Sequence, residues 1–143
     1  MEWDKVAKTI SAGVAGITTF VLGEPNVFLQ ILIVMVIADY ASGVIAAIVT
    51  DKLNSEVGFK GILKKAMYFF VVLVAHCVDT ATGADGVLRN VTIGFLIANE
   101  GISILENTSR CGVPWPKKLK DVLEQLRDEN NKSEDVSDDD NKM

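Results

Sequence analysis

The sequence has few of the residues from which metal and catalytic sites are built. Its 143 residues include two cysteines, Cys77 and Cys111, and one histidine, His76. These are too few for a zinc site of ordinary spacing. His76 and Asp79 are three residues apart and could pair across one helical turn, but no convincing nucleophile completes a catalytic triad. We therefore predict that the chain is not an enzyme and needs no metal or cofactor.

Excess positive charge is also missing. The net charge at pH 7 is −5, and the segment 128–143, with seven acidic side chains and two lysines, accounts for all of it. The rest of the chain is neutral overall and has no basic stripe, which argues against a nucleic-acid partner. Because the segment 128–143 is also nearly devoid of apolar residues, we predict that it is a disordered acidic tail.

Long apolar runs are what the sequence does have. Hydrophobic residues make up 49% of the chain, and a helix crosses the ~30 Å hydrocarbon layer with roughly 20 of them. Four stretches qualify, at residues 6–22, 28–49, 66–81 and 91–105. Compact turns at 23–26 and 82–86 separate the first two and the last two. We predict an all-α membrane protein in which residues 1–110 form about four transmembrane helices, or three if the first stretch does not cross.

The distribution of cations indicates the orientation, because Lys and Arg are retained on the cytoplasmic side. The loop before the third stretch carries Lys52, Lys60, Lys64 and Lys65. The region after the fourth carries Arg110, Lys117, Lys118, Lys120 and Arg127. The first loop has no cation and the third has only Arg89. Four crossings with both termini in the cytoplasm satisfy every bias, while three spans with the N-terminus outside remain the alternative. In the four-span topology the two cysteines face opposite sides of the membrane, which excludes a disulfide.

The first stretch has two faces. One is an apolar ridge that includes Val6, Ile10 and Val14, and the other is small and polar, with Ser11 and Ala15. Such a helix can lie against other helices, on the membrane surface or along water. We hypothesise that it changes its environment at low free-energy cost. A removable signal peptide is disfavoured, because no convincing cleavage site is present and further spans follow.

The segment 111–127 follows the last apolar stretch. Its glycine suits the end of a helix, and its two prolines cannot continue one. From 117 onward four apolar side chains fall on one helical face, namely Leu119, Val122, Leu123 and Leu126. We predict a turn followed by a short amphipathic helix that lies on the inner leaflet or pairs with a neighbouring helix.

Polar side chains inside the apolar stretches are the candidate functional residues. Asp39 is central in its run, and a carboxylate near the bilayer midplane costs on the order of 2.5–3.5 kcal/mol. With Ser42 and Gly43 it belongs to a groove of small side chains that permits close helix packing. The fourth stretch has a polar stripe of Glu100, Ser103 and Asn107. Two roles stay open for these six residues: hydrogen bonding within one monomer, or contacts in an oligomer or pore.

Three segments carry a family resemblance. Residues 99–107 read Asn-Glu-Gly-Ile-Ser-Ile-Leu-Glu-Asn. A Cys-Gly-x-Pro-x-Pro-Lys turn follows, formed by Cys111, Gly112, Pro114, Pro116 and Lys117. The run Asp39-Tyr40-Ala41-Ser42-Gly43 precedes a loop of the form Asn54-Ser55-x-x-Gly58-x-x-Gly61. Together these segments resemble the toxin-secretion/phage-lysis holin family of Gram-positive phages and clostridia, and the likeness extends over most of residues 28–126.

The resemblance implies a function. Such proteins accumulate in the cytoplasmic membrane of a host cell, where homo-oligomers then open lesions that release an endolysin, or in some relatives a toxin. The lipid bilayer and further copies of the chain are the implied direct partners. The endolysin is a functional partner that needs no direct contact, and an antiholin is a further implied partner. The family supplies no catalytic residues.

Two other functions fit parts of the sequence. Asp39 and Glu100 could bind a cation or carry protons in a small ion channel or transporter subunit, although the chain is short and has no internal repeat of the kind that builds transporters. Alternatively, the spans could anchor the amphipathic segment and tail as an adaptor for a cytoplasmic protein.

Overall fold

The computed structural model of the protein describes the backbone of residues 2–139 and the side chains of residues 2–128. This part of the chain folds into five α-helices without a strand: α1 (Glu2–Leu22), α2 (Val27–Val49), α3 (Ser55–Thr82), α4 (Val87–Arg110) and α5 (Lys117–Asp139). The all-α prediction is confirmed.

Side-chain caps determine where two of the helices begin. The side-chain oxygen of Asn26 accepts a hydrogen bond from the backbone amide of Leu29, at 3.0 Å. That of Asn54 accepts one from the amide of Glu56, at 2.9 Å. Each cap satisfies an amide that has no partner within its own helix. The predicted turn at 23–26 therefore lies between α1 and α2.

Helix α3 is longer than the apolar stretch that predicts it. The stretch covers 66–81, whereas the helix begins at Ser55. Its first three turns contain Glu56 and three lysines, which are good helix formers, and Asn54 caps them. Consequently Lys60, Lys64 and Lys65 lie on a helix and not in a loop, which corrects the sequence interpretation.

Three of the helices, α1, α2 and α3, are long and apolar enough to cross a membrane. Their surfaces agree with this, because the exposed side chains of α2 and α3 are mostly apolar, among them Ile33, Val34, Ile37, Phe70 and Val74. The buried side chains include several that are charged, such as Glu100. A soluble protein exposes its charged side chains and buries its apolar ones. Exposed apolar and buried charged side chains are what a helical bundle surrounded by lipid requires.

Helix α4 is the central helix of the bundle. Polar residues such as Asn99 and Glu100 lower its hydropathy, and it is not among the three apolar helices. It nevertheless has nine buried residues, more than any other described helix. It packs against α2, α3 and α5, and no residue between positions 92 and 105 is exposed.

The apolar core lies between the first halves of α2 and α4 and the middle of α3. It consists of Leu29, Leu32, Val72, Ile93 and Leu96. The hydrogen bond between Asn26 and Asn90 joins α2 and α4 beyond one end of this core, at 3.0 Å. Asn107 contacts Ser42 beyond the other end, also at 3.0 Å. The two helices therefore run parallel and side by side over most of their length.

Helix α1 is the least packed of the helices. None of its residues is buried, and its contacts with the bundle are made to α3. The C-terminal end of α1 makes these contacts, where Ile17, Val21 and Leu22 approach Phe69 and Phe70. The first half of α1 extends away from the rest of the protein, with both of its faces exposed.

Helix α5 folds back onto α4. A Cβ atom at Gly101 would lie only 3.0 Å from both methyl groups of Leu123, and 3.4 Å from the terminal methyl of Met35. A glycine at this position thus allows α5 to approach α4 closely. The sequence predicts that the amphipathic helix lies on the inner leaflet or pairs with a neighbouring helix. In the structure it pairs with α4.

The same helix extends further than the sequence predicts. The amphipathic pattern ends at Arg127 and the predicted disordered tail begins at 128, but the helical backbone continues to Asp139. Adding residues to an existing helix costs less free energy than starting a new one, and this accounts for the extension. Residues 140–143 of the predicted tail lie outside the described residues.

Candidate functional site

Three helices each contribute a charged side chain to one buried group. The ammonium of Lys65, on α3, lies 2.6 Å from a carboxylate oxygen of Asp39, on α2. The same ammonium donates a hydrogen bond to Glu100, on α4. Glu100 is 1% exposed and Asp39 is 6% exposed. One cation therefore bridges two carboxylates inside the bundle, and their formal charges sum to −1.

Asn107 and Ser42 complete this arrangement, which we call the ion cluster (Asp39, Ser42, Lys65, Glu100 and Asn107). The amide nitrogen of Asn107 donates to the second carboxylate oxygen of Asp39, at 2.9 Å, and contacts the hydroxyl of Ser42, at 3.0 Å. The hydroxyl of Ser42 donates to the backbone carbonyl of Asp39, at 3.0 Å. Every charged group in the cluster thus has a partner.

Pairing is what makes these charges tolerable in an apolar bundle. Taking a charged group out of water costs several kcal/mol, and its partners must offset that cost. Lys65 also lies 5.7 Å from the centre of the Tyr68 ring, close enough for a cation–π contact. The cluster therefore links α2, α3 and α4 through groups that depend on one another.

The structure brings together four of the six predicted polar residues: Asp39, Ser42, Glu100 and Asn107. The other two lie next to them. A Cβ atom at Gly43 would be 3.5 Å from the side-chain nitrogen of Asn107, and Ser103 lines a cavity shared with Asp39. The partners seen here belong to the same chain, and a role in assembly stays a prediction.

Sequence reasoning missed Lys65, because it counted this residue among the loop cations. A signal was present. Spacings of three and four residues connect the inward-facing positions of α3, in the order Gly58, Gly61, Lys65, Tyr68, Val72, His76 and Asp79. Lys65 lies on this face, whereas its neighbour Lys64 is exposed. Extending the helical pattern toward the N-terminus would have placed Lys65 inside the bundle.

The ion cluster does not lie at the level of the apolar core. The sequence places Asp39 at mid-membrane because it is central in its own run. In the structure Asp39 pairs with Lys65, one residue before the apolar run of α3, while the core lies at Val72. The relative shift of α2 and α3 therefore places the cluster at one end of the core.

A second polar group lies beyond the other end of the core. We call it the turn cluster (Glu24, Asn26, Asp79, Arg89 and Asn90). Asp79 accepts hydrogen bonds from the backbone amides of Leu88, at 3.0 Å, and Arg89, at 2.8 Å. The guanidinium of Arg89 donates to the backbone carbonyl of Glu24, at 2.8 Å. Asp79 thus caps the beginning of α4, and Arg89 ties that helix to the α1–α2 turn.

The predicted Cys-Gly-x-Pro-x-Pro-Lys element forms the turn between α4 and α5. Cys111 ends α4, and Gly112 follows with a φ of 77°, a left-handed conformation that favours glycine. Pro114 and Pro116 stand in the extended stretch before Lys117, the first residue of α5. The indole nitrogen of Trp115 donates to the hydroxyl of Ser109, at 2.6 Å. The element therefore reverses the chain so that α5 can pack on α4.

Comparison with known proteins gives a consistent result. The bacteriophage holin family matches residues 16–128 of the chain. An uncharacterized protein of Halalkalibacterium halodurans is 37% identical over 134 residues, which cover 90% of this chain and 99% of that protein. A probable holin of Bacillus phage phi105 is 35% identical over 119 residues, or 83% of this chain and 87% of its own length. An uncharacterized protein of Clostridium perfringens is 41% identical over 109 residues, 76% of this chain and 83% of that protein. No solved structure matches the chain.

Proposed function

Because the chain belongs to the bacteriophage holin family, we propose that it opens lesions in the cytoplasmic membrane of a host bacterium. Copies of the chain accumulate there, associate with one another and let a cell-wall-degrading endolysin leave the cytoplasm. The endolysin acts afterwards and needs no contact with the chain. A toxin is the alternative cargo, and an antiholin is a further candidate partner. The chain is a membrane protein and not an enzyme.

The proposed topology has four crossings, α1 to α4, with both termini in the cytoplasm. The position of α4 supports the fourth crossing. It runs beside α2 from the Asn26–Asn90 contact to the Ser42–Asn107 contact, so a membrane that contains α2 also contains α4. Its buried polar side chains Glu100 and Asn107 face other helices, whose polar groups satisfy them. The lysine-rich α2–α3 end and the segment after Arg110 then lie in the cytoplasm.

One observation carries the proposal: the ion cluster is buried within a bundle whose exposed side chains on α2 and α3 are mostly apolar. A monomer of this kind can accumulate in lipid without harm, because its charged groups are paired inside. The cluster also holds one carboxylate more than its single cation can neutralise. When copies associate and helices rearrange, these polar groups are available to face water.

The experiment is a lysis time course in bacterial cells. We expect expression of the chain alone to stop growth abruptly, and co-expression with a cytoplasmic endolysin to clear the culture. Asp39→Leu removes the excess carboxylate, so we expect membrane insertion to persist while lysis is delayed or lost. Ala41→Leu, on the exposed side of α2, is the matched control and should lyse on time.

Other outcomes point to the other functions. A shift in ion balance without endolysin release would indicate a small channel or transporter subunit. Growth unaffected at full membrane insertion would indicate an adaptor. Normal lysis timing in Asp39→Leu would show that the ion cluster has no part in assembly.

A further inference from the structure

A crevice of about 480 Å³ opens between the end of α2 and the beginning of α3, beside α4. We call it the α2–α3 crevice. Small and apolar residues form its wall, among them Gly43, Ala47, Val57, Gly58 and Gly61. The ion cluster closes its deep end, and the α2–α3 turn and the end of α4 form its mouth. The lysis mechanism outlined above does not use this space.

The charges that line the crevice favour an anion. Lys52, Lys65 and Arg110 line it together with one acid, Asp39. Lys65 is already paired with Asp39, so the unneutralised positive charge lies at the mouth. Within the described side chains, Lys52 and Arg110 form no ion pair. The first turn of α3 also borders the mouth and adds the partial positive charge of a helix N-terminus.

The depth of the crevice matches the headgroup layer. From Asp79 to Lys65, α3 advances 14 residues, or about 21 Å at about 1.5 Å per residue. The turn cluster and the ion cluster therefore bracket most of a hydrocarbon layer of ~30 Å. The crevice extends from the ion cluster toward the loop, so in the proposed orientation it opens among the headgroups of the inner leaflet.

We propose that the α2–α3 crevice binds an anionic phospholipid of the inner leaflet. The phosphate lies at the mouth between Lys52 and Arg110, and the apolar part of the lipid lies along the wall of small residues. A Cβ atom at Gly61 would meet nothing within 4 Å, so there is open space beside this wall for the apolar part of the lipid. Basic pockets between transmembrane helices on the cytoplasmic side are suited to such headgroups. The assignment rests on the orientation given under the proposed function.

The test measures how much spin-labelled phosphatidylglycerol the protein immobilises in phosphatidylcholine vesicles. Spin-labelled phosphatidylcholine gives the reference, and the ratio of the two is the selectivity. Lys52→Gln and Arg110→Gln should each lower this selectivity roughly fivefold, the effect of losing one cation near the headgroups. Lys64→Gln is the matched control: the same change on an exposed lysine of α3 that does not line the crevice.

A second variant tests the space itself. Gly61→Leu fills the crevice while replacing a helix-interior glycine by a better helix former, so the fold is retained and the selectivity should fall. Gly13→Leu has equal open space on α1 and should leave the selectivity unchanged. Circular dichroism confirms the helix content of each variant before the lipid measurement.

Three results would overturn the assignment. An equal loss in Lys64→Gln would mean that general surface charge, and not the crevice, selects the lipid. Unchanged selectivity in Gly61→Leu would mean that the lipid lies elsewhere. Loss of selectivity on adding soluble glycerol phosphate at millimolar concentration would indicate a site for small phosphates. Because the readout needs no lysis, a protein that fails the lysis assay but keeps its selectivity refutes only the lesion function.

Discussion

The two polar clusters of this protein lie on opposite sides of one apolar core and are held together in different ways. In the turn cluster, charged side chains bond mainly to backbone groups: Asp79 to two amides and Arg89 to a carbonyl. In the ion cluster, side chains from three helices bond to one another. The first arrangement fixes how turns meet helices, and the second fixes how whole helices align.

The difference predicts unequal responses to mutation. A backbone amide that loses its side-chain acceptor near a helix end can find water or another carbonyl. A buried carboxylate that loses its only cation has no such substitute. The ion cluster should therefore be more sensitive than the turn cluster, and more sensitive to the loss of its cation than to the loss of one acid.

The largest expected effect is that of Lys65→Met. It leaves Asp39 and Glu100 buried beside each other without a cation, and breaking a buried ion pair costs about 3–5 kcal/mol. We expect the free energy of unfolding, measured by denaturant titration in detergent micelles, to fall by this amount. Lys64→Met changes an exposed neighbour and should alter it by no more than about 0.5 kcal/mol.

A rescue experiment sharpens this result. Adding Asp39→Asn and Glu100→Gln to Lys65→Met gives a cluster without charge, which should recover most of the lost stability because no buried charge is left unpaired. If the triple variant is as unstable as Lys65→Met alone, the loss comes from packing of the lysine chain and the electrostatic explanation is wrong.

The intermediate effect is that of Asp79→Leu in the turn cluster. Two backbone amides at the beginning of α4 lose their acceptor, and a buried donor without a partner costs about 1–3 kcal/mol. The free energy of unfolding should fall by an amount in this range, measured in the same micelles. Asp85→Asn, an exposed acid in the neighbouring turn, is the control. If Asp79→Leu lowers the free energy of unfolding as much as Lys65→Met does, the two clusters do not differ in sensitivity as proposed.

The smallest effect is expected for Asp39→Asn. Asparagine keeps one oxygen that can accept from Lys65, while its nitrogen replaces the oxygen that accepts from Asn107, which still has Ser42 as a partner. The cluster becomes neutral because one lysine then faces only Glu100. We expect the free energy of unfolding to change by less than about 1 kcal/mol, within the range of a single hydrogen bond. A decrease as large as that of Lys65→Met would show that both carboxylates are required and that the excess negative charge is not a strain on the monomer.

Much of the candidate site could be predicted from the sequence, because charged residues inside apolar runs are conspicuous. Asp39 and Glu100 are costly in lipid wherever their helices lie, and Asn107 shares a helical face with Glu100. Lys65 could not be found in the same way. It stands at the border of an apolar run, where lysine is ordinary, and only its alignment with Gly61 and Val72 on one face of α3 distinguishes it from Lys64.

The relative positions of the helices were not predictable, for a physical reason. An apolar run determines that a helix prefers lipid, but it leaves the helix free to slide and rotate against its neighbours. The sliding position and the rotation of each helix depend on contacts between residues far apart in the chain. Examples are the contact between Asp39 and Asn107 and that between Gly101 and Leu123. These contacts place Asp39 at one end of the core and dock α5 onto α4.

By itself the sequence determined that this protein lies in lipid, that its fold is all-α and where most of its turns are. These follow from local properties: the length of apolar runs, the positions of capping residues, and the glycines and prolines that end helices. Only the tertiary structure decided which polar groups are partners, how deep they lie and that the polar helix α4 occupies the centre. Those features depend on free energies of pairing between distant residues, and no single stretch of sequence contains them.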